Sequence, residues 1–256
     1  PKVWHIRRPE PDVRELAQAA ALIRAARRPV IVCGGGVLYS GAEAAIHAFA
    51  TRHALPLTET QAGKSALAQS HPMNFGAAGV DGAASANAAI RAADLVIAVG
   101  TRLQDFTTGS RTMMAEDAKV ALERLSAQIG DYRASPDTAA RSAWLAAVDR
   151  KCQAPLAEGT LPTDAQVIGA VQAVAGASTI ALGAAGTMPG ALKLLWQAPQ
   201  GGYHMEYGYS CMGYEIAGAM GLKLARPDRE VICFVGDGSY MLANAELATA
   251  VMRQVP

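Results

Sequence analysis

Apolar strand-like runs and helix-like periodic segments alternate along this 256-residue chain, and that alternation restricts it to parallel α/β sheets. In the first half, RPVIVCGGG reads as a buried strand entering a glycine turn. Helical periodicity precedes it in DVRELAQAAALIRAA and follows it in GAEAAIHAFATRHA. LPLTET is then a short strand, DGAASANAAIRAA a helix, DLVIAVGTR a second apolar strand and DAKVALERLSAQIG a further helix. Between Gly100 and Asp117 the sequence offers no apolar run, although a doubly wound sheet would place another strand there. Either the sheet is a strand short or the chain lacks residues that belong in it.

A second unit of the same kind follows. Helix DAQVIGAVQAVAG leads to strand STIALGAAG and helix PGALKLLWQ, then a loop APQGGYHMEYGYS and helix MGYEIAGAMGLKLA. Strand EVICFV, a Gly-Asp-Gly turn and a last helix close the chain. The stretch 151–163 between the units is rich in Pro, Gly and Thr, which marks it as a linker. The expected architecture is therefore two doubly wound parallel-sheet domains: a Rossmann-like one over 1–150 and a second over 164–256.

Charge and cysteine usage narrow the function. A formal net charge of +1 gives no global field for nucleic acid or an anionic membrane, and Arg7-Arg8 and Arg27-Arg28 read as solvated ends. No apolar run reaches the length of a membrane span. The four cysteines show no CxxC pairing, and Cys33 and Cys233 sit in apolar runs as small core residues, which suits a reducing cytoplasm.

Three candidate sites remain. The Gly34–Gly36 turn has the strand–glycine–helix setting of a phosphate cradle, yet it lacks GxGxxG spacing and an acidic residue about 20 positions on, so it reads as structural. Five scattered histidines form no metal or triad pattern, and His47 reads as packing or surface. In the closing segment, EVICFV delivers Asp237 to the carboxyl end of a strand. Gly236 and Gly238 let backbone approach an anion, and Ser239 opens a helix whose N–H groups favour phosphate. A carboxylate facing a diphosphate needs a divalent cation between them, and Mg²⁺ suits that role. Read alone, GDG is equally an ordinary turn.

Context is more specific. MGYEIAGAMGLKLARPDREVICFV with GDGSYMLANAELATAVMRQVP resembles the diphosphate-binding domain of thiamine-diphosphate enzymes of the acetolactate synthase superfamily. ETQAGKSALAQSHPMNFGAAGVDGAASANAAIRAADLVIAVGTRLQDFTTGS resembles their central domain. The resemblance implies thiamine diphosphate and Mg²⁺ as cofactors, with Asp237 as first metal ligand and Gly236, Gly238 and Ser239 lining the diphosphate. It makes Met212 the apolar prop under a bent cofactor, and Gly186 and Thr187 further diphosphate contacts. In some relatives the central domain binds FAD without redox chemistry and in others it is architectural, so FAD occupancy stays open.

Within the superfamily, GGYHMEYGYSCMGYEIAGAMG and GTRLQDFTTGS resemble the branch that hydrolyses a C–C bond, opening the ring of a cyclic 1,2-dione in myo-inositol breakdown. The resemblance places the cofactor-activating glutamate in a preceding domain and the second metal ligand beyond Pro256. It implies a fragment of a longer, cytoplasmic enzyme, inactive alone, acting on a small-molecule substrate as a homodimer or homotetramer. The rivals are an acetolactate synthase or 2-keto-acid decarboxylase, and a non-catalytic nucleotide-binding regulator using Gly34–Gly36.

Overall fold

Strand β1 (Pro29–Cys33) is buried at all five positions because it lies between two parallel neighbours. Cys33 faces Glu59 of β2 (Leu57–Glu59) on one side and Val99 of β4 (Leu95–Val99) on the other. Strand β3 (Asn74–Ala77) pairs outside β2, giving the order β3-β2-β1-β4. The computed structural model describes residues 8–103, 118–206 and 209–256. The stretch expected to carry another strand, and most of GTRLQDFTTGS, lie outside these residues.

The helices follow their apolar faces. In α1 (Val13–Ala25) Leu16, Ala20 and Ile23 turn inward at helical spacing, and the Asp12 carboxylate caps the first turn by accepting from Arg14 N and Glu15 N. Helix α2 is the short Gly35–Tyr39, and α3 (Glu43–His53) packs Ile46, Phe49 and Ala50 on the sheet. After α4 (Ala84–Ala92), α5 (Ala118–Ile129) buries Leu122, Leu125 and Ile129 in the same core. Helix α6 (Ala139–Cys152) then places Trp144 and Val148 against Ala83 and Ala86.

His53 ends α3 fully buried. Its ring lies 2.7 Å from the Tyr132 carbonyl through Nδ1 and 2.9 Å from Ser126 Oγ through Nε2. A carbonyl only accepts, so Nδ1 carries the proton and neutral Nε2 accepts from Ser126. Burial lowers the His53 pKa, with the Tyr132 carbonyl opposing it; burial also lowers those of His71 and His204. The unfolded chain therefore takes up protons first. Stability is full above the ordinary histidine value of about 6.5 and falls below it until the folded pKa values are reached. Urea midpoints are expected to drop between about pH 7 and pH 5. A His53→Gln variant, less stable throughout, should show a shallower drop.

The second sheet has the order β6-β5-β7, again all parallel. Helix α7 (Asp164–Val174) opens with a capping box between Thr163 and Gln166 and leads to β5 (Ile180–Gly183), buried throughout. Helix α8 (Met188–Leu195) connects to β6 (Tyr203–Met205), α9 (Tyr214–Ala225) to β7 (Val231–Cys233), and α10 (Asp237–Ala243) and α11 (Glu246–Met252) follow. Trp196 and Phe234 meet edge-on at 5.8 Å in its core. Two strands, β3 and β6, lie in segments without a strand signal of their own: NFGA is short and holds a glycine, and YHM sits in an expected loop. The closing helix is two short ones.

The two sheets are joined by polar contacts. Gln61 Nε2 donates to Tyr203 Oη (2.7 Å), Gln69 N to the Ala198 carbonyl (3.0 Å), and the buried Lys193 ammonium to the Ala78 carbonyl (3.0 Å). Among the described residues no helix is long and apolar enough to cross a membrane.

Candidate active site

In open α/β sheets, ligands gather outside the carboxyl ends of strands where the strand order reverses. Each sheet here has one such point. In the first it lies between β1 and β4, and main chain fills it. Gly34 N donates to the Val99 carbonyl and Gly36 N to the Gly100 carbonyl. A Cβ on Gly34 would lie 2.3 Å from Gly100 O, and one on Gly36 2.7 Å from Gly100 Cα. Gly34 and Gly36 serve close backbone approach, in keeping with the structural reading of this turn, and their N–H groups are already engaged. Gly34→Ala is expected to destabilise the fold by about 1–3 kcal/mol through this clash, read as a lower urea midpoint.

The reversal in the second sheet lies between β5 and β7, and the sequence-predicted residues gather around it. Gly236 is the N-cap of α10, and the helix starts at Asp237 rather than at Ser239. This corrects the expected boundary by two residues and puts Ser239, which is buried, inside the first turn. Asp237 is exposed, and its Oδ1 accepts from Gly238 N at 2.8 Å. A Cβ on Gly238 would stand 3.0 Å from Met212 Cε, so the methionine methyl lies over the glycine turn. After β5, Gly186 adopts φ +87° with open space where a Cβ would be, and Thr187 is the N-cap of α8. Met212 thus stands against Gly238, while Gly186 and Thr187 occupy the neighbouring turn.

Glu215, which sequence reasoning passed over, bridges these turns. It is buried in the first turn of α9, where its carboxylate accepts from Gly213 N (3.0 Å) and from Ala185 N (3.4 Å). The Cys233 thiol, at the end of β7, is pushed up to about 11 by burial first and by the Glu215 charge second. An acidic residue inside the apolar helix YEIAGAMGLKLA was the available signal. Next to it, His204 Nε2 lies 2.8 Å from Tyr214 Oη, and burial lowers the His204 pKa. The Glu206 carboxylate accepts from Cys211 N at 2.8 Å and holds the loop before Met212.

Among the described residues, no three His, Cys, Asp or Glu side chains cluster to hold a metal. A lone exposed carboxylate beside Gly236, with open space where a Cβ would be, fits Mg²⁺ only when phosphate oxygens complete its shell. The donor set therefore fits a metal–diphosphate pair rather than a bare ion.

A second polar cluster lies between the sheets. Glu59 Oε1 accepts from Ser65 N (3.0 Å) and Asn74 Nδ2 (3.2 Å), whereas the buried Oε2 has no partner among the described residues. The buried Lys64 Nζ reaches Gln69 Oε1 at 3.4 Å and stands over the Tyr203 ring. Burial raises the Glu59 pKa and lowers that of Lys64, and the attraction between the two opposes both shifts.

Residues 16–141 match the family described as thiamine pyrophosphate enzyme, central domain, and residues 184–256 that described as thiamine pyrophosphate enzyme, C-terminal TPP binding domain. Curated relatives named 3D-(3,5/4)-trihydroxycyclohexane-1,2-dione hydrolase are similar over nearly the whole chain. The protein of Geobacillus thermodenitrificans is 37% identical over 298 aligned residues, covering 98% of this chain and 47% of its own length. That of Clostridium perfringens is 37% identical over 305, with 99% and 48% covered, and that of Bacillus cereus 38% over 303, with 98% and 47%. The chain thus spans about half the length of these relatives. Both matches fall in the order in which the two sheets occur, and the chain belongs to the thiamine pyrophosphate enzymes.

Proposed function

We propose that the protein carrying this chain is a thiamine-diphosphate- and Mg²⁺-dependent hydrolase that opens the ring of trihydroxycyclohexane-1,2-dione in myo-inositol breakdown. The observation that carries the reading is the meeting of Met212 with Gly238, beside Asp237, at the strand reversal of a segment matched as TPP-binding. The names of the curated relatives support the substrate. In this reading Asp237 holds Mg²⁺, and Gly236, Gly238, Ser239, Gly186 and Thr187 line the diphosphate. Met212 props the cofactor from beneath. Bound thiamine diphosphate supplies a carbon nucleophile and an electron sink for breaking the bond between two adjacent carbonyl carbons, and water completes the hydrolysis.

The domain boundary is placed within 151–163, the exposed stretch ahead of α7. Four free cysteines support a cytoplasmic location. The exposed side chains of Met241, Leu242, Val251 and Met252 on α10 and α11 support a homodimer or homotetramer. The test is a ring-opening assay on the full-length protein with both cofactors, comparing the dione with pyruvate. Turnover of the dione, lost without either cofactor, is expected. Carbon dioxide release from pyruvate with an inert dione would move the function to the acetolactate synthase side.

A further inference from the structure

The turn after β5 and the turn before α9 belong to different connections, and a ligand contacting both needs them at a fixed separation. Backbone pairing does not set it, because strand ladders end at Gly183 and Met205. We propose that Glu215 is a positioning residue that clamps these two turns together for cofactor binding. Its two carboxylate oxygens take one N–H from each: Oε1 from Ala185, one residue before Gly186, and Oε2 from Gly213, one residue after Met212.

The geometry extends to the third loop. Gly213 sits at φ +91°, a left-handed conformation in which the chain reverses to start α9, and it directs Met212 toward Gly238. A Cβ on Gly213 would also meet Leu242 Cβ of α10 at 3.3 Å. Displacing Gly213 therefore displaces Met212 relative to the Gly-Asp-Gly segment. A carboxylate suits the clamp because it is acceptor-only and can satisfy two N–H donors at once. A glutamine of the same shape offers one carbonyl and turns an NH₂ group toward the other donor. One buried N–H then loses its partner and the turns separate.

A simple helix-capping role predicts something different: lower stability with unchanged ligand affinity. Thr179 provides the comparison. Its hydroxyl bonds to Glu230 at the opposite end of the same sheet, so Thr179→Ala should reduce stability without touching the turns.

The inference rests on the thiamine-diphosphate reading, and the experiment separates the two. Wild type, Glu215→Gln and Thr179→Ala of the full-length protein are titrated calorimetrically with thiamine diphosphate at fixed Mg²⁺, and thermal melts are recorded alongside. The expected result is wild-type affinity in Thr179→Ala and about tenfold or greater weakening in Glu215→Gln, as expected for losing a hydrogen bond to a charged group. Equal affinity in wild type and Glu215→Gln would overturn the clamp while leaving the cofactor assignment standing. No binding by wild type would overturn both. If Glu215→Gln does not fold, Glu215→Asp carries the same expectation, since it keeps the charge and shortens the reach by one methylene.

Discussion

Replacing Asp237 with alanine in the full-length protein is expected to abolish Mg²⁺-dependent thiamine diphosphate binding, weakening it on the order of a hundredfold or more. Loss of supporting groups around a metal already costs about 10–100-fold, and in the proposed site a ligand itself is removed. Among the described residues no cluster of three metal-binding side chains is at hand to take its place. Without the metal the diphosphate loses its main counter-charge. Asp237 is exposed, so the fold should barely respond, with a change within about 0.5 kcal/mol. Calorimetric titration with and without Mg²⁺, next to urea unfolding, reads both quantities. Unchanged affinity would return Gly236-Asp237-Gly238 to an ordinary turn.

The largest stability effect is expected from Trp196→Ala. Trp196 is 1% exposed, packs edge-on against Phe234, and donates from Nε1 to the Gly202 carbonyl at 3.1 Å. Truncating a buried tryptophan costs about 3–5 kcal/mol, and the Gly202 carbonyl loses one of its two donors. Gly202 also accepts from Ala181 N, so the loss reaches the pairing of β5 with β6. On β6, Tyr203 carries the contact to Gln61 on the side of the other sheet. The second sheet should unfold at lower urea, and its loss should lower the midpoint of the first. A single-residue dip below about 1 kcal/mol would mean that the site collapses around the cavity.

Much of this was legible in the sequence, for identifiable reasons. The buried strands β1 and β5 are continuous apolar runs bounded by turn signals, which is how strands covered on both faces read. The segment around Asp237 was legible because a whole strand–turn–helix context accompanied three short letters. By contrast, β3 and β6 are stabilised by parallel partners distant in the chain, and nothing local in NFGA or YHM announces them. Glu215 was missed because its partners, Ala185 and Gly213, become neighbours only once two separate connections meet. The Glu59–Lys64 cluster was missed although Ser65, Gln69 and Asn74 lie close in the chain, because only folding buries it and brings the Tyr203 ring beneath Lys64. The start of α10 was hard to place as well: Asp237 and Gly238 are poor helix formers, and only the ladder position of β7 fixes where the turn ends.

The sealed reversal of the first sheet has a consequence for anyone wishing to remodel this protein. What blocks the space between β1 and β4 is the main chain of Gly34, Gly36, Gly100 and Thr101, so trimming side chains there gains no room. A new pocket at that end would require rerouting a connection, not editing residues. At that end the first sheet offers a ligand no cleft that side-chain substitution could open.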